Sequence, residues 1–78
     1  MKKYQRAITY GTFDLFHIGH LWLLGRIANI AEEVIVAVSS DEFNRLKGKS
    51  CAIPFENRRD IVAALRMVTK VIREDSWE

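Results

Sequence analysis

Hydrophobic and polar positions change period several times along the chain, and each change marks an element. Ala7-Ile8-Thr9-Tyr10 is a short apolar, β-branched and aromatic run stopped by Gly11, the pattern of a buried strand. From His20 the apolar residues move to helical spacing. Leu21, Leu24, Ala28 and Ala31 form a stripe that Leu23, Ile27 and Ile30 widen. A stripe that broad predicts a helix lying on a sheet, with Trp22 outside it, partly exposed or at a subunit contact. Glu32-Glu33 interrupts. Val34-Ile35-Val36-Ala37-Val38 then runs apolar without alternation, as does a strand buried on both faces of a parallel sheet. Strand, helix and strand make one βαβ unit with a right-handed crossover.

The remainder continues the alternation. Ser39 and Glu42 have capping-box spacing and predict a short helix through about Leu46. Lys47-Gly48-Lys49-Ser50 follows as a basic loop that lacks the upstream glycine and strand-to-helix setting of a P-loop. Pro54 suits the start of a helix at or just before Phe55, where its missing N–H costs nothing. Ile61, Val62, Leu65 and Val68 mark the buried side of that helix; Arg58, Arg59 and Arg66 decorate it, with Arg59 in solvent. Val68-Thr69-Lys70-Val71-Ile72 reads as a third strand. Three strands alternating with helices predict an α/β chain with a Rossmann-like parallel sheet. Ligands of such sheets bind beyond the carboxyl ends of the strands. Residues 11–20, 39–49 and 73–77 should therefore share one mouth.

Composition narrows the class. Seventy-eight residues make one domain at most, and a chain of that size buries only about 60–65% of its unfolded surface. Apolar residues are 49% of the chain, enough for a core. A net charge of +2 is too small to argue for nucleic acid. Eight of the twelve Lys and Arg lie between Arg45 and Arg73, which predicts a basic face toward a phosphorylated small molecule. The single cysteine, Cys51, excludes an intramolecular disulfide and suits a reducing cytosol. With no His near it in sequence, Cys51 reads as a loop thiol. Met1-Lys2-Lys3 opens no apolar signal region, and no run reaches the ~18 residues of a membrane span. A soluble cytoplasmic chain is expected.

Chemistry concentrates in Thr9-Tyr10-Gly11-Thr12-Phe13-Asp14-Leu15-Phe16-His17-Ile18-Gly19-His20. A strand delivers this loop to a helix N-terminus, whose first N–H groups suit a phosphate. His17 and His20 can face one way there, and Gly19, without a Cβ, admits a nucleotide close to the backbone. The imidazoles could instead cap the helix. With no second Cys and no third His, and with only carboxylates such as Asp14 to complete a site, a dedicated zinc centre is not expected.

Gly11 to His20 resembles the signature of the HxGH nucleotidyltransferases, the cytidylyltransferases in particular. Ser40-Asp41-Glu42-Phe43-Asn44, Glu56-x-Arg58 and Val71-Ile72 with Trp77 match that family in order and spacing. The resemblance implies transfer of CMP from CTP to a phosphorylated alcohol, with glycerol 3-phosphate the expected acceptor, as in wall teichoic acid synthesis. It implies His17, His20 and Lys47 in catalysis. It puts Thr12, Phe13, Asp14, Gly19 and Trp77 at the nucleotide or its phosphates, and Lys47, Lys49, Arg58 and Arg66 at the acceptor. It further implies Mg2+ with the CTP, a homodimer, and no nucleic acid or membrane partner.

The family pattern goes on past these residues, to a Gly-Asp segment and an Arg-Thr-x-Gly-Ile-Ser-Thr motif, neither of which occurs in the chain. Residues 1–78 therefore read as the N-terminal portion of one nucleotidyltransferase domain, weakly active or inactive alone. Other acceptors (ribitol phosphate, phosphocholine, phosphoethanolamine), an adenylyltransferase, and a non-catalytic nucleotide-binding or oligomerisation remnant are the competing readings. A class I aminoacyl-tRNA synthetase is excluded by the flanking Gly-Thr-Phe-Asp and by length.

Overall fold

The computed structural model describes residues 2–76. Its elements run β1 (Tyr4–Gly11), α1 (Ile18–Ile30), β2 (Ala31–Ser39), α2 (Asp41–Leu46), α3 (Phe55–Ala63) and β3 (Lys70–Glu74). The sheet has the order β1-β2-β3 with both pairs parallel. Tyr4 to Gly11 lie beside Ala31 to Val38, and Ile35 to Ser39 beside Lys70 to Glu74. This is the Rossmann-like α/β arrangement that the alternation predicts.

Side chains two apart in a strand share a face. Val34, Val36 and Val38 point to one face and are buried in a core with Leu24 of α1 and Phe55 and Val62 of α3. Both long helices therefore cover the same side. The opposite side carries Ile8, Tyr10, Ile35, Ala37 and Ile72 in register, and it is the open one: Ile8 and Tyr10 are 46% and 54% exposed. Ala37 is buried because Tyr10 and Ile72 flank it in the ladder. The apolar run Val34–Val38 is thus covered by helices on one face only, and β1, expected as a buried strand, is an edge strand. Trp22 stands in solvent on the outside of α1.

Pairing moves several boundaries. Ala31 still donates its N–H to the Ile27 carbonyl, yet its φ and ψ (−134°, 141°) are extended. The helix therefore passes into β2 without a loop, and Glu32-Glu33 belong to the strand. Register with β1 draws them in, helped by the Arg6–Glu33 ion pair at 2.9 Å. Ser40 rather than Ser39 caps α2, its Oγ accepting from Phe43 N at 3.1 Å. Ser39 is claimed by the sheet beside Glu74. Pro54 is the N-cap of α3 as its type suggests. Ile61, expected on the buried side of α3, faces out, while Val62 is buried. β3 starts at Lys70 because Thr69 bonds to both the N–H and the carbonyl of Val34.

The basic residues do not form one face. Arg73 is paired with Glu42 and Asp75, and Arg59 with Asp60. Arg58 is buried. Among the described residues no helix is long and apolar enough to cross a membrane.

Candidate active site

The carboxyl ends of β1 and β2 open into a cleft of about 520 Å³, within the usual range for small-molecule sites. Gly11, Thr12, Asp14 and His20 lie on one side of it, Lys49, Ser50 and Cys51 on the other. The first wall is built from a strained loop. Phe13 and Leu15 have φ of 53° and 50°, left-handed values that β-carbons resist at about 1–3 kcal/mol each. The strain is held by packing. The Phe13 ring is 5% exposed and lies over Gly11, where a Cβ would come within 2.6 Å of it. Phe13, expected at the nucleotide, lines the cleft and is also part of the core that sets the loop.

At the start of α1 the two histidines cap the helix reciprocally. His17 Nδ1 accepts from Gly19 N at 3.0 Å, and His20 Nδ1 accepts from His17 N at 3.0 Å. An imidazole nitrogen that accepts carries no proton, so this bonding assigns both neutral rings to the Nε2–H form. Their centroids are 4.0 Å apart. Phe13 and Phe16 back His20 at 5.4 and 5.1 Å. Burial, and His17 beside it, hold the His20 pKa below its ordinary value. The ring stays neutral, with Nε2–H as its donor. The capping and phosphate-facing readings of the histidines are thus compatible, since each ring uses a different nitrogen.

Two expectations at this helix end change. The N–H groups of Gly19 and His20 are already bonded to His17, through its ring and its carbonyl respectively. What the loop offers a phosphate is imidazole N–H more than backbone N–H. The space above Gly19 is filled by the His17 ring, with Cε1 2.8 Å from where a Cβ would sit. The missing Cβ at Gly19 makes room for the His17 ring.

The other expected residues divide. Thr12 stands at the cleft floor, its Oγ1 accepting from Ser39 Oγ at 3.3 Å. Asp14 is on the cleft wall, but both its oxygens accept from backbone, Ala52 N at 2.8 Å and Ile53 N at 3.0 Å. The Ala52 bond chiefly holds its pKa below the usual carboxylate range. Lys49 lines the cleft. Lys47 does not: it ends α2 with its ammonium 4.3 Å from the Phe43 ring centroid, a cation–π contact.

Arg58 is not in the mouth but beneath it. Its side chain has 0% exposure and donates to the carbonyls of Ile53, Thr12 and Ser39 and to Asp41 Oδ1, at 2.7–2.9 Å. Asp41 also accepts from Phe55 N, the main cause of its lowered pKa. Arg66, also expected at the acceptor, adjoins Ala31, Val34 and Thr69 at the amino ends of the strands. That end lies roughly 15 Å from the mouth at about 3.3 Å per residue. Trp77 lies outside the described residues.

Sequence reasoning missed Asn44, which is buried, with Nδ2 2.9 Å from Cys51 Sγ and Oδ1 3.5 Å from Thr12 Oγ1. An amide in a six-residue helix that buries one face was the available signal. It also gave Cys51 no place in the cleft. Among the described residues no cluster of three or more His, Cys, Asp or Glu could hold a metal ion. A cation carried on substrate phosphates needs no such cluster.

Parallel βαβ topology, a cleft at the strand ends and a histidine-capped helix beside it make a site suited to a phosphorylated ligand. The cytidylyltransferase-like family model matches residues 8–78, and the chain belongs to that family. It is 46% identical over 74 residues to glycerol-3-phosphate cytidylyltransferase of Bacillus spizizenii, covering 95% of this chain and 57% of that protein. The Staphylococcus aureus protein of the same name is 44% identical, with 94% and 55% covered. An FAD synthase of Methanospirillum hungatei is 41% identical over 70 residues, 90% of this chain and 44% of that one. A lipopolysaccharide core biosynthesis protein of Thermoplasma volcanium superposes with a TM-score of 0.88 at 26% identity, covering 95% and 61%. The chain thus spans a little over half the length of the curated glycerol-3-phosphate cytidylyltransferases it matches.

Proposed function

We propose that the chain carries the HxGH portion of a cytidylyltransferase that moves CMP from CTP to glycerol 3-phosphate, giving CDP-glycerol and pyrophosphate. The observation that carries this reading is the reciprocal cap, which commits both Nδ1 atoms to backbone and leaves two neutral Nε2–H donors. An acceptor phosphate oxygen attacks the α-phosphorus in line; that P–O bond forms as the bond to the β-phosphate oxygen breaks. No proton need move. The protein's work is positioning and stabilisation of charge gathering on the pyrophosphate.

His17 and His20 donate to those phosphate oxygens as charge develops, a preorganised role that needs no change of protonation. Lys49 adds positive charge from the opposite wall, Lys47 lies two residues before it in the same loop, and Thr12 supplies a hydroxyl at the floor. A CTP triphosphate would bring its own Mg2+, whose charge would offset that of the phosphates. Arg66 is given no part, because of its place at the far end of the sheet. The relatives named for glycerol 3-phosphate support the acceptor, and a homodimer is carried as part of the proposal. The FAD synthase relative supports ATP as the competing nucleotide.

A thermal-shift titration with CTP, ATP and CDP-glycerol tests the reading, followed by pyrophosphate release with CTP and glycerol 3-phosphate. Stabilisation by CTP over ATP, and loss of turnover in His17→Ala, are expected. Equal response to both nucleotides overturns the base assignment, and a fully active His17→Ala overturns the catalytic one.

A further inference from the structure

The cleft wall formed by Lys49, Ser50 and Cys51 belongs to a loop between α2 and α3, and the structure explains what holds it there. Asp14 sits on the opposite wall, 38 residues away in sequence, yet it accepts the N–H of Ala52 on Oδ2 and the N–H of Ile53 on Oδ1. The carbonyl of the same Ile53 accepts from Arg58 Nε at 2.9 Å. One residue of the loop is therefore gripped from both sides, by an anion at its N–H and a cation at its C=O. Arg58 fixes the grip to the sheet by donating to Thr12 O and Ser39 O, where β1 and β2 end. The loop's other root is tied to α2, with Lys49 N on Asn44 O at 2.8 Å and Cys51 Sγ beside Asn44 Nδ2.

We propose that Asp14 and Arg58 are positioning residues that clamp the Ile53 peptide and so hold the Lys49–Cys51 wall at the working width of the cleft. In the clamp both act through the Ile53 peptide. The bearing of this on ligand binding rests on the CTP reading above; the clamp itself does not. The loop enters through Gly48 at φ 76°, and Ser50 on its outer side is exposed. The histidine loop and the lysine loop thus move as one body.

Hydrogen exchange and thiol reactivity test this on the whole chain. In the unaltered protein the Ala52 and Ile53 amides should exchange at least tenfold slower than Ser50, and Cys51 should react slowly with DTNB. Asp14→Asn keeps size but loses the anion. It should raise exchange at Ala52 and Ile53 and the Cys51 rate at least tenfold, while the Val36 and Val38 amides and the urea midpoint shift much less, by only the stability that the Asp14 anion adds to the fold. A purely global destabilisation would move all four together. The same variant should weaken CTP protection of Cys51 by tenfold or more, and Asp14→Glu should restore part of it. Free exchange at Ala52 and Ile53 in the unaltered protein, or an unchanged Cys51 rate in Asp14→Asn, overturns the clamp. If CTP fails to protect Cys51 even in the unaltered protein, the CTP reading falls, and exchange and thiol rates still decide the clamp.

Discussion

At the scale of residues, His17 and His20 each hold the start of α1 with one ring nitrogen and keep the other as a donor. The two roles separate by substitution. Asn at position 17 keeps a capping oxygen, whereas Ala removes it at a cost of about 1 kcal/mol. We expect His17→Asn to unfold in urea within about 0.5 kcal/mol of the parent and His17→Ala to fall below it. Both should lose at least tenfold in CTP affinity; an Asn variant that binds CTP normally would mean that the ring donor is idle. Acid tests His20. Its folded pKa lies below the ordinary His value because of burial and then of His17. Above about pH 6.5 the ring is neutral in both states and its contribution is complete. As pH falls the unfolded chain takes the proton first, so stability declines until the folded pKa is passed. Thermal midpoints between pH 7.5 and 5 should show this slope, and His20→Asn should flatten it. Asp14 and Asp41, held below the usual carboxylate range, add their losses at lower pH. The histidines were legible because their motif is local. The bonds of Asp14 and Arg58 were not legible, because their partners, Ala52 and Thr12, are 38 and 46 positions away.

At the scale of elements, type was easier to read than extent or facing. Periodicity named the strands and the two longer helices, and a capping-box spacing the short one, since such spacings are properties of neighbours in sequence. Boundaries at Ala31, Ser40 and Lys70 follow from strand pairing and from Thr69, which a one-dimensional pattern does not contain. The apolar run of β2 was ambiguous for the same reason: Ile35 and Ala37 are apolar, yet they point away from the helices. One paired experiment measures that difference. Val36→Thr places a hydroxyl in the core and should cost about 1–3 kcal/mol. Ile8→Thr on the open face should stay within about 0.5 kcal/mol. Equal losses in urea unfolding would mean that the open face is covered in solution.

At the scale of the whole molecule, one layer of helices on a three-stranded sheet leaves Ile8, Tyr10, Ile35 and Ile72 as a contiguous apolar surface. Parallel sheets are usually covered on both faces. The folded chain should therefore bind a hydrophobic dye such as ANS with its near-UV dichroism intact, and an Ile8→Thr, Tyr10→Thr double variant should lower that fluorescence at least twofold. Unchanged fluorescence would place the dye elsewhere. The strand order has a separate consequence, in time. Each strand pairs with the one before it in the chain, β2 on β1 and β3 on β2, with no strand waiting for a later one to be inserted between. A chain emerging from the ribosome at ~5–20 residues per second can thus lay its sheet down in order of synthesis. The histidine-bearing loop can then stand against its first two strands before β3 has joined them.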